Sequence, residues 1–224
     1  MSKFPNNFCE TPVVTPRARK KILKEALTVW AEQMPDAKCE LYHETPYQLL
    51  VSVVLSAQAT DKSVNQAMEP LYYEGFTPQD VLEMGQVRFL DKIKTIGLAP
   101  TKSKNVLKLT KILVDRFRGE VPRTRKDLEA LPGVGRKTAN VVLGEVFGEP
   151  TLAVDTHVFR VSRRLGLHEE LKPEKCEQVL LQQLKNSDLP KAHHWFILHG
   201  RYTCKARKPM CEECPLNHIC PAYC

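Results

Sequence analysis

Lys137 follows a tight glycine turn, Leu131-Pro132-Gly133-Val134-Gly135-Arg136-Lys137, and sits just inside the helix that the turn starts. Glycine lets a chain turn sharply and lets a ligand approach its backbone, and a helix N-terminus offers N–H groups to an anion. Gly133, Val134 and Gly135 therefore read as a cradle for a phosphate, with an amine held beside whatever that phosphate belongs to. In the first turn the helix dipole disfavours a second positive charge, and Arg136 pushes the same way. A lysine whose ammonium is disfavoured is a better nucleophile toward a sugar C1′ or a carbonyl. Position alone leaves a second role equally open, in which Lys137 only neutralises a phosphate.

Asp155 opens Asp155-Thr156-His157 just before the next helix, where aspartate is an ordinary N-cap. Reach suggests a sharper role. The helix from Arg136 to Phe147 runs outward by roughly 18 Å at about 1.5 Å per residue. The return from Gly148 to Val154 covers about 23 Å at roughly 3.3 Å per residue. The chain can therefore bring Asp155 back beside Lys137. A carboxylate there would take a proton from the ammonium and stabilise positive charge developing on a sugar. His157 is read as a capping or supporting residue.

Four of the eight cysteines fall in one short segment, Cys204-x6-Cys211-x2-Cys214-x5-Cys220. A loop with four thiolates wraps an inorganic centre. Zinc takes four thiolates too, usually from two close pairs. Here one close pair has long arms on either side, which better suits a bulkier iron–sulfur cube. Zinc stays as the rival, and Cys224 is an alternative ligand by spacing. Cys9, Cys39 and Cys176 are scattered and read as free thiols.

These residues need a scaffold, and the chain supplies a nearly all-helical one. Thr15-Pro16, Thr45-Pro46 and Thr77-Pro78 repeat one device, a threonine cap before a proline in the first turn. Pro46 to Ser56 is apolar on most sides and predicts a central buried helix. Pro70 predicts an end or kink. Helices are further expected near 86–95 and 103–118, and from Thr124 to Ala130, with Asp127 as capping partner. After the glycine turn they resume at Arg136–Phe147, Asp155–Leu167, Pro173–Leu184 and Pro190–Tyr202. Extended chain is expected only at Pro150–Val154. Met1 to Val14 reads as a loose tail. The length of 224 residues allows one large domain or two modest ones, and 42% hydrophobic residues mark a globular chain. The net charge of +7 points to a polyanionic partner. No apolar run of about 18 residues predicts a membrane span. The N-terminus lacks the apolar core of a secretory signal, so disulfides are not expected.

Leu131-Pro-Gly-Val-Gly-Arg-Lys-Thr-Ala-Asn140, Val154-Asp-Thr-His157, Leu55-Ser-Ala-Gln-Ala-Thr-Asp61 and the terminal cysteine pattern together resemble endonuclease III. This is a family of bifunctional DNA glycosylases and abasic-site lyases in the helix-hairpin-helix superfamily, and the likeness runs from about Arg17 to Cys220. The resemblance implies an all-α fold with two helical lobes. One is a six-helix barrel at 45–154, with the helix-hairpin-helix at about 124–147. The other joins 17–44 to 155–224 and holds a [4Fe-4S] cluster in the loop 204–220. The tail 1–16 has no assigned role. By motif, Lys137 is the Schiff-base nucleophile, Asp155 the catalytic carboxylate, and Cys204, Cys211, Cys214 and Cys220 the cluster ligands, leaving Cys224 spare. Gln58 matches the residue that fills the gap left by the extruded nucleotide, and Leu98 the wedge on the opposite strand. The same resemblance implies that Gly133, Val134 and Gly135 contact DNA. The family often has an aromatic and a small polar residue after Gly97-Leu98; here Ala99-Pro100 follow.

The implied reaction is removal of oxidised or ring-saturated pyrimidines, such as thymine glycol, from double-stranded DNA, followed by cleavage at the abasic site. The implied protein is a monomer in the cytoplasm, at the bacterial nucleoid, with no membrane partner. Two rivals are weighed against this reading. An adenine-specific glycosylase would lack the lysine at position 137 and carry a further C-terminal domain. A non-enzymatic DNA-binding module would leave the Lys137/Asp155 pair as coincidence.

Overall fold

The computed structural model describes residues 13–223; Cys9, Cys224 and most of the expected tail lie outside the described residues. Among the described residues ten α-helices follow in order: α1 (Pro16–Gln33), α2 (Pro46–Ser56), α3 (Asp61–Tyr73), α4 (Pro78–Lys92), α5 (Ala99–Phe117), α6 (Arg125–Glu129), α7 (Arg136–Phe147), α8 (Thr156–Arg164), α9 (Pro173–Gln183) and α10 (Leu189–Tyr202). A 3₁₀ turn at Asn217–Ile219 closes the set, and no strand occurs among the described residues. The fold is all-α, as expected. No helix among the described residues is long and apolar enough to cross a membrane.

The threonine caps hold. Thr15, Thr45 and Thr77 accept hydrogen bonds from the N–H groups of Ala18, Gln48 and Asp80. Gln48 and Asp80 return the bond to the cap backbone, which satisfies two end groups reciprocally. Three local expectations shift. α3 continues past Pro70 to Tyr73. The segment expected near 86–95 is the second half of α4, which breaks at Gly85 (φ 71°). α5 begins at Ala99, not at Ser103, because Pro100 lies in the first turn, where its missing N–H is not needed.

The chain forms two compact units, Cys39–Thr151 and the residues up to Lys38 together with those from Leu152 onward. These divisions lie at 38/39 and 151/152, where the resemblance implies 44/45 and 154/155. Leu41 packs into the first unit's core, and Leu152 and Val154 into the other's, so apolar side chains set the borders. In the unit Cys39–Thr151, α2 is buried continuously from Tyr47 to Leu55 and forms the centre of a helical barrel made by α2 to α7. In the other unit, α1, α8, α9 and α10 share a core in which Trp30 meets Phe196 edge to face at 4.8 Å.

The second unit also buries a polar cluster. The Glu170 N–H donates to His168 Nδ1 (3.1 Å), His168 Nε2 lies 2.9 Å from Ser162 Oγ, and that hydroxyl donates to Val158 O (2.6 Å). Cys176 Sγ is 3.2 Å from the same ring nitrogen. Burial lowers the His168 pKa to about 4. The unfolded chain therefore binds a proton below pH 6.5 that the folded chain refuses until about pH 4. The contribution of His168 to stability is complete above pH 6.5 and is lost as pH falls through that window, by as much as about 3 kcal/mol; burial lowers His199 to about 4 as well, so its contribution is lost in the same window. A denaturant midpoint followed from pH 7 to pH 4 is expected to drop, and His168→Gln to flatten the drop. A curve that the substitution leaves unchanged would assign the loss to another group.

Candidate active site and metal centre

The hairpin is built by α6, the turn 130–135 and α7. Thr124 caps α6, its hydroxyl donating to the Asp127 carboxylate at 2.7 Å and accepting from the Asp127 N–H at 3.1 Å. Gly133 has φ 83°, and a Cβ there would meet Asn105 at 3.1 Å and Val54 at 3.3 Å. Both its backbone and its packing against α5 and α2 therefore require glycine. Val134 points into the core and its N–H donates to Leu131 O at 3.1 Å, so Val134 anchors the turn. Gly135 caps α7 with no side-chain hydrogen bond. The first turn of α7, with exposed Arg136 and Lys137, thus faces solvent without a competing cap, the arrangement that takes an anion.

After α7 the chain turns at Gly148 and runs back. Thr151 Oγ1 donates to Asn140 O at 2.7 Å, one turn of helix beyond Lys137. A Cβ at Gly144 would lie 3.0 Å from Thr151 Oγ1, so glycine there admits the returning chain. The next residue, Leu152, begins the other unit. Lys137 and Asp155 therefore belong to different units.

Asp155 caps α8. Its Oδ1 accepts from the N–H groups of His157 and Val158, both at 2.8 Å. Both bonds fall on one oxygen, which leaves Oδ2 for another partner. The ordinary capping role is thus met without using the whole carboxylate.

In the barrel unit, Gln58 follows α2 and Leu98 precedes α5. Both are exposed, and both hold left-handed backbone, at φ 57° and 62°. For non-glycine residues this costs roughly 1–2 kcal/mol each. Such strain concentrates where a side chain is presented for use. The two loops are neighbours: a Cβ on Gly97 would lie 3.6 Å from Gln58 O. One turn into α5, Lys102 is 4% exposed, and desolvation holds its ammonium below the usual lysine range.

The cysteine loop leaves α10 and is held by α8. Arg164, 7% exposed, donates from Nη1 to Cys204 Sγ at 3.0 Å and to Lys205 O at 2.8 Å. Arg160 donates from Nε to Cys204 O at 3.0 Å and from Nη2 to Gly200 O at 2.8 Å, and its Nη2 lies 3.1 Å from His157 Nδ1. One helix therefore presents Asp155 at its start and clamps Cys204 from its body. Cys204, Cys211, Cys214 and Cys220 line one cavity of about 590 Å³ and are free thiols. Among the described residues, no three His, Cys, Asp or Glu side chains gather closely enough to share a single ion; the thiols are spread round the cavity. Burial pushes the Cys214 thiol up to about 11 and raises Cys220, with the neighbouring sulfurs acting the same way. Four thiolates there require a cationic centre to offset their repulsion. A donor set of four spread sulfurs fits an iron–sulfur cluster, which takes one thiolate at each of several irons.

Sequence reasoning did not single out Arg160, Arg164, Asn105 or Lys102. The arginines carried a usable signal, an i, i+4 pair on one helix face. Asn105 and Lys102 carried none, since only the packing of α5 gives them their place.

Residues 51–186, more than half of the chain, match the helix-hairpin-helix superfamily of base excision DNA repair proteins. Residues 204–220 match the iron–sulfur binding domain of endonuclease III. Endonuclease III of Rickettsia conorii is 49% identical over 203 residues, which cover 91% of this chain and 97% of that one. The chain belongs to the endonuclease III family. The cysteine loop is accordingly an iron–sulfur site, and zinc falls away as its rival. Among solved structures, a non-covalent endonuclease III–DNA complex superposes with a TM-score of 0.85 at 44% identity, covering 90% of this chain and 94% of that one. A trapped endonuclease III–DNA covalent intermediate, an estranged-adenine complex, also gives 0.85 at 44% identity, over 90% and 95% of the two chains. The adenine-specific and non-enzymatic readings yield to this family assignment.

Proposed function

We propose that Lys137 is the nucleophile and Asp155 the catalytic carboxylate of a DNA glycosylase and abasic-site lyase that acts on oxidised or ring-saturated pyrimidines. As a member of the endonuclease III family the chain is a base-excision repair enzyme with both activities. The observation that carries the residue assignment is the placement of Lys137, an exposed amine on the uncapped first turn of the helix that the glycine hairpin starts. The hairpin holds the phosphate backbone of duplex DNA. A damaged base with weakened stacking is extruded at reduced cost, with Gln58 filling the gap and Leu98 wedging the opposite strand. The Lys137 Nζ, its proton taken by Asp155, forms a bond to C1′ as the bond to the base breaks. Opening of the C1′–O4′ bond gives the imine. Loss of a C2′ proton then expels the 3′ phosphate by β-elimination. That a relative has been trapped as a covalent DNA intermediate supports this route.

Cys204, Cys211, Cys214 and Cys220 hold a [4Fe-4S] cluster, which serves to shape the loop rather than to hydrolyse. The protein works as a monomer at the DNA of a bacterial cytoplasm, in keeping with its bacterial relative.

Asp155 has two roles, and one substitution separates them. Asparagine caps helices as well as aspartate but takes no proton. Asp155→Asn is expected to leave the unfolding free energy within about 0.5 kcal/mol and to slow single-turnover base excision roughly 100-fold. Near-parental excision would leave Asp155 as a cap alone.

A further inference from the structure

Close to the loops that carry Gln58 and Leu98 lies a lysine that no step above uses. Lys102 stands in the first turn of α5, its N–H donating to Leu98 O at 3.0 Å. Only 4% of the residue is exposed. Its Nζ is fully enclosed, and no protein atom accepts a hydrogen bond from it. Helical side chains lean toward the N-terminus of their helix and cover the turn before their own Cα. Lys102 therefore lies over the turn that begins at Leu98. The Gln58 loop meets that region too, its carbonyl oxygen 3.6 Å from where a Gly97 Cβ would be. The first turn of α5 thus joins a left-handed Leu98 to a lysine whose buried ammonium has no partner, and the left-handed Gln58 lies in the neighbouring loop. Each is unfavourable in the resting fold, and unfavourable features cluster where an arrangement serves a step.

We propose that Lys102 is a positioning residue for base extrusion: its ammonium engages carbonyl oxygens of the Gln58 and Leu98 loops as those side chains enter the duplex, and locks both loops there. The inference rests on the reading of Gln58 as gap filler and Leu98 as wedge. Being enclosed, Lys102 acts through the loops and not on DNA itself.

The test uses the full-length, cluster-loaded protein and a duplex with one thymine glycol beside 2-aminopurine, whose fluorescence rises on unstacking. Lys102→Met keeps the length of the side chain and removes its charge. Its thermal midpoint is expected to equal or exceed the parent's, since no paired charge is lost. The fluorescence rise and single-turnover excision are expected to fall about tenfold. Borohydride trapping on single-stranded abasic DNA, which needs no extrusion, is expected to stay within about twofold. Lys102→Arg is expected to recover part of the excision rate. Excision by Lys102→Met at the parental rate overturns the proposal. So does a lowered midpoint with both substrates lost together, and so does failure of Lys102→Arg to exceed Lys102→Met. Gln58→Ala and Leu98→Ala separate the two readings. If both leave the fluorescence rise intact, the roles given to these loops fail whatever Lys102 does. If they abolish it while Lys102→Met preserves it, the inference on Lys102 alone fails.

Discussion

Lys137→Ala is expected to lose base excision and strand cleavage together, each by on the order of 10³-fold or more. Both steps run through one amine, so removing it leaves no partial route through the imine. The fold should be indifferent. Lys137 is exposed on α7, and alanine is the best helix former, so the unfolding free energy is expected to stay within about 0.5 kcal/mol. Binding to an undamaged duplex should weaken only modestly, because Gly133, Val134 and Gly135 are untouched and a single positive charge is removed. Single-turnover assays on a thymine glycol duplex and on an abasic duplex read the two steps separately. A variant that still excises the base but no longer cuts the strand would mean that water, not the amine, displaces the base.

The second large effect is expected at the cysteine loop. Cys214→Ala removes one thiolate from a set that lines a single cavity. It should abolish absorption near 400 nm and the bound iron, and destabilise the protein by about 3 kcal/mol or more. Arg164 explains the size of the loss. It is 7% exposed and donates to Cys204 and Lys205; if the loop opens, a buried guanidinium loses these two acceptors. The same reasoning gives a route from the loop to Asp155, since Arg160 and Arg164 lie on the helix that Asp155 caps. Excision should fall along with the colour. A Cys214→Ala protein that keeps its absorption and its melting temperature would remove Cys214 from the ligand set.

Much of the molecule was readable from residue types. Threonine followed by proline marked three helix starts, and the run Leu49 to Leu55, apolar on most sides, announced a central buried helix. The cysteine spacing gave the inorganic centre before any coordinates. Other features depended on contacts that no local pattern encodes. Ala99-Pro100 depart from the aromatic and small polar residues that the family often has after Leu98, yet nothing in that departure showed that Pro100 belongs to the first turn of α5. The unit borders follow the packing of Leu41, Leu152 and Val154, which helix ends alone do not reveal. The glycine turn was legible as a turn, but its demand for glycine at 133 comes from Asn105 and Val54, far away in sequence. Lys102 gave no sign at all, because burial of a lysine is a tertiary fact.

Chemical mapping in the unaltered protein identifies the amine that attacks the sugar. Incubation with an abasic duplex in the presence of borohydride reduces any imine to a stable adduct, and proteolysis with mass spectrometry then locates the modified residue. The expected result is a single DNA-bearing peptide that contains Lys137. An adduct mapped to another lysine or to the N-terminal amine, or no adduct with a protein that nonetheless cleaves the strand, would show that Lys137 is not the nucleophile.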